Sequence, residues 1–305
     1  MQYDSIIIGG GPAGVTAGIY LARSGRKVLI IEKTMIGGQV AYTAEISNYP
    51  GYIGIDGFGL CQNFLKQLND LNIEIRYEEV INVELQSKIK TIYTNKGTYS
   101  APSIILCLGA GSKKLNVPNE IELTGKGVSY CATCDGSLYR NKTVCVLGGG
   151  NSAVEEAIYL SDIAKKVYLI IRRDEFRAER SLVETLLNKK EQGKDIEIIK
   201  NSVTDKIIGE DKVTALTVKN VVDNTLSDIE VDGIFVAIGR TPNTSLFSGV
   251  IALDDMGYVV VDEKFETNIP GVFAGGDIIV KDFRQVTTAV ADGALISVSV
   301  NNYLR

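Results

Sequence analysis

The 305-residue chain contains no histidine. That removes the side chain that most often carries protons near neutral pH, so any catalytic acid must be a carboxyl, a thiol or a bound water. Zinc is excluded as well: one Cys-x-x-Cys, with no histidine and no second cysteine pair, cannot close a four-ligand site, and no metal is expected. No uninterrupted apolar run reaches the ~18 residues of a membrane span. Lysine and arginine number 32 against 37 acids, for a net charge of -5, and they are scattered, which leaves no basic footprint for nucleic acid. Five cysteines are too few for an extracellular disulfide framework and fit a reducing cytoplasm. The first strand is expected from Tyr3, with no room for a signal peptide ahead of it.

What is present reads as an ordinary globular α/β chain, 45% hydrophobic and 23% charged, and too long for one comfortable core. Residues 4–9, Asp-Ser-Ile-Ile-Ile-Gly, predict a buried parallel strand. It runs into Gly9-Gly10-Gly11-Pro12-Ala13-Gly14 and then a helix, and a second strand, from Lys27, stops at Glu32. In such a turn the first glycine makes the bend, the second lets a pyrophosphate reach the backbone and the third lets helix pack on strand. An acid at Glu32 is placed for the ribose hydroxyls of an adenine dinucleotide. GxGxxG alone is a weak signal; strand, helix and acid in register make it a dinucleotide site.

The pattern recurs. Val144-Cys145-Val146-Leu147 leads into Gly148-x-Gly150-Asn151-Ser152-Ala153, a helix, and a strand from Lys166. When the halves are overlaid on Gly9 and Gly148, Ile171 stands where Glu32 was, followed by Arg172, Arg173 and Arg177. An acid would repel a 2′-phosphate, whereas guanidinium groups bind one through paired hydrogen bonds. An arginine cluster is usually a solvated face, but the end of this strand is the place for a 2′-phosphate. The first site therefore suits FAD and the second NADPH. Between them lies Tyr130-Cys131-Ala132-Thr133-Cys134-Asp135-Gly136, the spacing of a disulfide that opens and closes in use. The lesser reading of Asp135 is a turn residue before Gly136. Cys61, in a helical pattern over 58–71, and Cys107, after an apolar run, read as buried thiols.

Small residues at Gly109–Ser112 and turn chemistry at Gly239–Asn243 mark two crossings between domains. Toward the end, Gly271-Val272-Phe273-Ala274-Gly275-Gly276-Asp277 predicts a strand whose backbone can approach a ligand, and Arg284-Gln285-Val286 opens a small-residue helix. From the residues alone this last stretch reads as plausible packing and nothing more.

Taken together, these motifs resemble the low-molecular-weight, bacterial-type thioredoxin reductases, class II of the pyridine nucleotide-disulfide oxidoreductases. The resemblance spans essentially the whole chain, and its most discriminating point is a dithiol inside the nucleotide-binding insert. It implies two Rossmann-like domains in three ββα layers: a discontinuous FAD domain (1–112 and 242–305) and an inserted NADPH domain (113–241). It further implies FAD contacts along Glu32, Lys33, Gly37, Gly38 and Gln39 and along Gly276, Asp277, Arg284, Gln285 and Val286, with Asn48 near the flavin. A homodimer is implied, with thioredoxin as partner. By the same resemblance Cys134 lies next to the flavin, Cys131 is the exchange thiol and Asp135 the acid. For that role the disulfide needs a potential near thioredoxin's, about −270 mV, since ~30 mV shifts a two-electron exchange tenfold. Ile171 departs from the family, whose arginine motif begins with histidine, and a changed nucleotide affinity is expected from it.

The runner-up is a ferredoxin-dependent flavin thioredoxin reductase, a branch that has lost the nucleotide motifs retained here. A flavoprotein partner of a peroxidase would carry an extra N-terminal domain. A nucleotide-binding dithiol redox sensor is the reading from another class, and it predicts stoichiometric oxidation without turnover.

Overall fold

The computed structural model describes residues 3–43, 46, 48–52 and 54–305, with the Tyr42 side chain outside the described set. It divides into two units: residues 3–43, 49–111 and 241–305, and residues 112–240 together with Ile46 and Asn48.

The first unit begins with β1 (Ser5–Ile8), buried along its whole length, which feeds α1 (Pro12–Arg23) through the first glycine turn. Pro12 at the helix start loses nothing, because a first-turn N–H has no partner within the helix. β2 (Val28–Glu32) follows, then α2 (Gly57–Asp70), capped by the Asp56 carboxylate accepting from Gly59 N at 2.6 Å. β3 (Glu74–Tyr77) extends the sheet. β4 (Val80–Glu84), β5 (Lys90–Thr94) and β6 (Thr98–Ala101) form a separate antiparallel sheet, and the β5–β6 hairpin turns at Lys96–Gly97 as the sequence predicts. β7 (Ser103–Leu106) returns to pair with β1, and β8 (Ala110–Ser112) reaches the first crossing.

The second unit repeats the plan. β9 (Val128–Ser129), the short α3 (Ala132–Asp135) and β10 (Thr143–Leu147) precede the second glycine turn, which opens α4 (Asn151–Ser161). β11 (Lys166–Ile170), α5 (Arg180–Glu191) and β12 (Ile196–Ile199) follow. An antiparallel sheet of β13 (Ser202–Gly209), β14 (Val213–Asn220) and β15 (Leu226–Glu230) precedes β16 (Gly233–Val236). The parallel sheet runs β12-β11-β10-β16-β9. One of its faces packs on α4 and α5 around Val146, Leu169 and Phe235; the other packs on the antiparallel sheet around Cys145, Ile170 and Leu216. This helix, sheet, sheet layering is why β10 and β11 are apolar on both faces.

β17 (Arg240–Pro242) pairs with β8, so the two crossings lie side by side as a ribbon. The chain then completes the first unit with β18 (Val272–Ala274) and α6 (Val286–Tyr303), giving a parallel sheet of order β18-β7-β1-β2-β3. α6 lies so close to α1 that a Cβ on Gly293 would overlap the Ala13 carbonyl oxygen. Among the described residues no helix is long and apolar enough to cross a membrane.

Candidate functional site

The first glycine turn separates its three glycines by role. Gly9 has φ +105°, and a Cβ there would overlap the Cys107 carbonyl; a Cβ on Gly14 would overlap the Gly9 carbonyl; Gly11 has nothing within 4 Å. The bend and the helix contact are thus filled by protein, while the middle position faces open space, as a pyrophosphate requires. Around it, Gly37 N donates to Gly10 O at 2.7 Å and Gly276 lies against Ala13, which a Cβ would approach to 3.0 Å. Glu32 ends β2 buried, with Oε2 accepting from Gly10 N at 2.7 Å and Oε1 from Thr34 N at 2.8 Å. The structure therefore brings Gly9–Gly14, Glu32, Gly37, Gly38 and Gly276 together, and their shape fits an adenine dinucleotide such as FAD.

The other residues expected at that site divide. Gln39 donates to Ala110 O at 2.7 Å, and Lys33 pairs with Glu79 on the surface. Asp277 is half-buried in the turn after β18, and Asn48 is exposed and groups with the second unit. The Arg284 guanidinium donates to the carbonyls of Asp277, Ile279 and Lys281 and lies 4.2 Å over the Tyr258 ring, tying the loop ahead of α6. Gln285 caps α6, one position before Val286, in a reciprocal box with Thr288.

Sequence reasoning missed Asp292, a buried carboxylate on α6. Its Oδ2 accepts from Gly276 N at 2.8 Å and from Lys281 Nζ at 2.6 Å, which fixes the glycine next to the first turn. The available signal was an acid in an otherwise small and apolar helix.

The second turn has the same division of labour. Gly148 has φ +143° and would meet the Ala237 carbonyl, Ala153 sits 3.0 Å from that Cβ position, and Gly150 is open. Both Arg177 N and Ala178 N donate to Gly149 O, at 2.7 and 3.1 Å, so the arginine segment is held at the turn. Arg172, Arg173 and Arg177 are exposed, as a phosphate cradle needs. Ile171 is buried in the core against Gly149 and presents nothing to solvent. Asn151 is bonded to Glu179 through both side-chain atoms, and Ser152 is exposed beside it.

Cys131 and Cys134 form a disulfide, with Cα atoms 5.3 Å apart and both residues half-buried. The Ser129 hydroxyl accepts from Cys131 N at 3.1 Å and donates to Asp135 Oδ2 at 2.6 Å. Asp135 Oδ1 is buried with no hydrogen-bond partner among the described residues. Burial pushes this carboxyl above the ordinary range, against the downward pull of the Ser129 hydrogen bond. Ahead of the dithiol, the Tyr130 hydroxyl donates to the buried Glu120 at 2.7 Å, an anchor that local sequence did not reveal. Cys61, Cys107 and Cys145 are buried free thiols; burial raises the first two to about 11 and about 12 and pushes Cys145 up as well, so none is a ready thiolate.

The family description "Pyridine nucleotide-disulphide oxidoreductase" matches residues 3–293. A thioredoxin reductase of Peptoclostridium acidaminophilum is 42% identical, over 99% of this chain and 97% of that one. One from Listeria monocytogenes is 40% identical, over 99% and 94%. The crystal structure of thioredoxin reductase from Streptococcus pyogenes superposes with a TM-score of 0.91 at 41% identity, covering 99% of this chain and 98% of the other.

Proposed function

We propose that this chain, which belongs to the pyridine nucleotide-disulphide oxidoreductase family, works as a thioredoxin reductase with FAD and NADPH as its cofactors. The observation that carries the reading is a half-buried Cys131–Cys134 disulfide in the same chain as two glycine turns, each with one position open to a pyrophosphate. Bound FAD supplies the chemistry of taking hydride from NADPH and passing an electron pair to the disulfide.

The first unit, through Gly9, Gly11, Pro12, Ala13, Gly14, Glu32, Gly37, Gly38, Gly276 and Asp277, holds FAD. In this assignment Lys33, Gln39, Gln285 and Val286 belong to that site, and Arg284 ties the loop that closes it. The second unit holds NADPH: Gly148, Gly150, Asn151, Ser152 and Ala153 receive the pyrophosphate, and Arg172, Arg173 and Arg177 the 2′-phosphate.

Two electrons break the Cys131–Cys134 bond. The Cys131 thiolate then attacks one sulfur of the thioredoxin disulfide, making a mixed disulfide and releasing a thiolate. Asp135, whose buried carboxyl retains its proton more readily than an exposed one, protonates that leaving group. Cys134 next attacks Cys131, which restores the internal disulfide and frees reduced thioredoxin.

The nicotinamide site and the dithiol both belong to the second unit, and both need the one flavin. The reading therefore includes rotation of that unit between half-reactions, about the crossings at β8 and β17. A homodimer in the cytoplasm, where the three buried thiols stay reduced, completes the assignment. NADPH oxidation that depends on added oxidised thioredoxin is the test; oxidation that ignores thioredoxin contradicts the reading.

A further inference from the structure

We propose that Glu179 is a positioning residue of the nucleotide site in the second unit: its carboxylate clasps Asn151 and so fixes the span between the turn that takes the pyrophosphate and the arginines that take the 2′-phosphate. This rests on the reading of that site as one for NADPH.

The two glycine turns are held in different ways. In the first unit the acid at the end of β2 does it directly, with Glu32 Oε2 accepting from Gly10 N at 2.7 Å. The residue in register with Glu32 in the second unit is Ile171, which lies in the core and offers no side-chain acceptor. There the chain comes back to the turn from further along. Arg177 N and Ala178 N donate to the carbonyl of Gly149, the counterpart of Gly10, at 2.7 and 3.1 Å. Glu179 completes the hold on Asn151, the first residue of α4. Its Oε1 accepts from Asn151 Nδ2 at 3.0 Å, and its backbone N–H donates to Asn151 Oδ1 at 2.8 Å. Glu179 stands at the N-cap of α5, yet its side chain makes no capping bond there, so the carboxylate reaches across to the turn instead.

The rest of the segment shows what the clasp positions. Phe176 and Ala178 pack against the core of α4 and α5, while Arg177 between them is exposed. At the other end, Asn201 N, just past β12, donates to Arg173 O at 3.2 Å. Arg173 is thus steadied from β12 and Arg177 from the glycine turn, and of the bonds that reach the turn only the Glu179–Asn151 pair uses side chains. An acid in the place of Glu32 would repel a 2′-phosphate. Placed at Glu179, the acid ties the turn and leaves the end of β11 to guanidinium groups.

The test is equilibrium binding to the oxidised, FAD-loaded protein, native and with Glu179→Gln or Glu179→Ala. Gln removes the charge but keeps an oxygen that can accept from Asn151, whereas Ala removes both, so the ratio of the two variants separates the clasp from the charge. The probes are adenosine 2′,5′-bisphosphate, which spans both phosphate positions, and 5′-AMP and 2′-AMP, which occupy one each. The Ala protein should bind the bisphosphate roughly three- to tenfold more weakly than the Gln protein, the effect of one hydrogen bond that orders two linked contacts. For either monophosphate the two variants should agree within about twofold, because neither ligand senses the span. The clasp is exposed, so both variants should melt close to the native protein. Equal affinity of the Ala and Gln proteins for the bisphosphate overturns the proposal. An equal loss for all of the probes overturns it too, since that marks a general loosening of the site. A native protein that binds the bisphosphate no more tightly than 5′-AMP contradicts the NADPH reading and this proposal with it, so the two failures are told apart.

Discussion

The Ser129 hydroxyl donates to Asp135 Oδ2 at 2.6 Å while it accepts the Cys131 amide, so the carboxyl proposed as acid and the cysteine proposed for exchange are held by one side chain. Burial raises the Asp135 carboxyl, and Oδ1 has no hydrogen-bond partner among the described residues. The active form is the protonated one, so the exchange rate should fall as pH rises through this raised value. Asp135→Asn should lower thioredoxin reduction by ~10²- to 10⁴-fold and flatten that alkaline limb. Rapid-mixing measurements of thiol exchange against pH check it; an unchanged limb would assign the acid elsewhere.

The glycines offer a paired test in each unit. Gly11→Ala and Gly150→Ala place a methyl in open space, at φ −72° and −96°, and should fold normally. They should nevertheless weaken FAD and NADPH binding respectively, by about tenfold or more, since a methyl excludes a pyrophosphate from the backbone. Gly14→Ala and Gly148→Ala collide with backbone carbonyls and should lower the melting temperature instead. Ligand titration and thermal unfolding of all four variants distinguish the two roles.

Arg172, Arg173 and Arg177 bear on nucleotide choice. Replacing Arg172 and Arg173 with Ala should raise KM for NADPH roughly 10- to 100-fold and leave NADH use nearly unchanged, because only the former carries the 2′-phosphate. Ile171→His would bury an imidazole in the apolar core against Gly149 and should lower the melting temperature, so it tests the fold more than the phosphate contact. Steady-state kinetics with both nucleotides decides the matter; equal losses for the two would make the arginines structural.

Rotation about β8 and β17 predicts that a cross-link fixing one orientation of the second unit slows steady-state turnover at least tenfold, while one half-reaction measured alone survives. A cross-linked protein with the native rate removes the hinge from the account.

Much of this was legible in the sequence because it is local. The runs at β1, β2, β10 and β11 are apolar because both faces of a parallel sheet are covered, and the Gly-x-Gly turns follow at once. The burial of Cys61 and Cys107 was readable from their apolar settings. What stayed hidden depends on partners distant in the chain. The hold of the Arg284 guanidinium on three carbonyls and the Tyr258 face is one such case, invisible in its short motif. Asp292 gains meaning only when the fold brings Gly276 and Lys281 to it.

The central claim is a series connection from nucleotide through flavin to the Cys131–Cys134 pair and on to thioredoxin. Anaerobic titration of the FAD-loaded protein tests it most directly: NADPH should bleach the flavin, and oxidised thioredoxin should restore the colour. Cys134→Ser should still bleach but lose transfer to thioredoxin by at least about a thousandfold. A flavin that NADPH leaves oxidised while reduced ferredoxin bleaches it, or a bleached flavin that thioredoxin cannot reoxidise, would contradict the account.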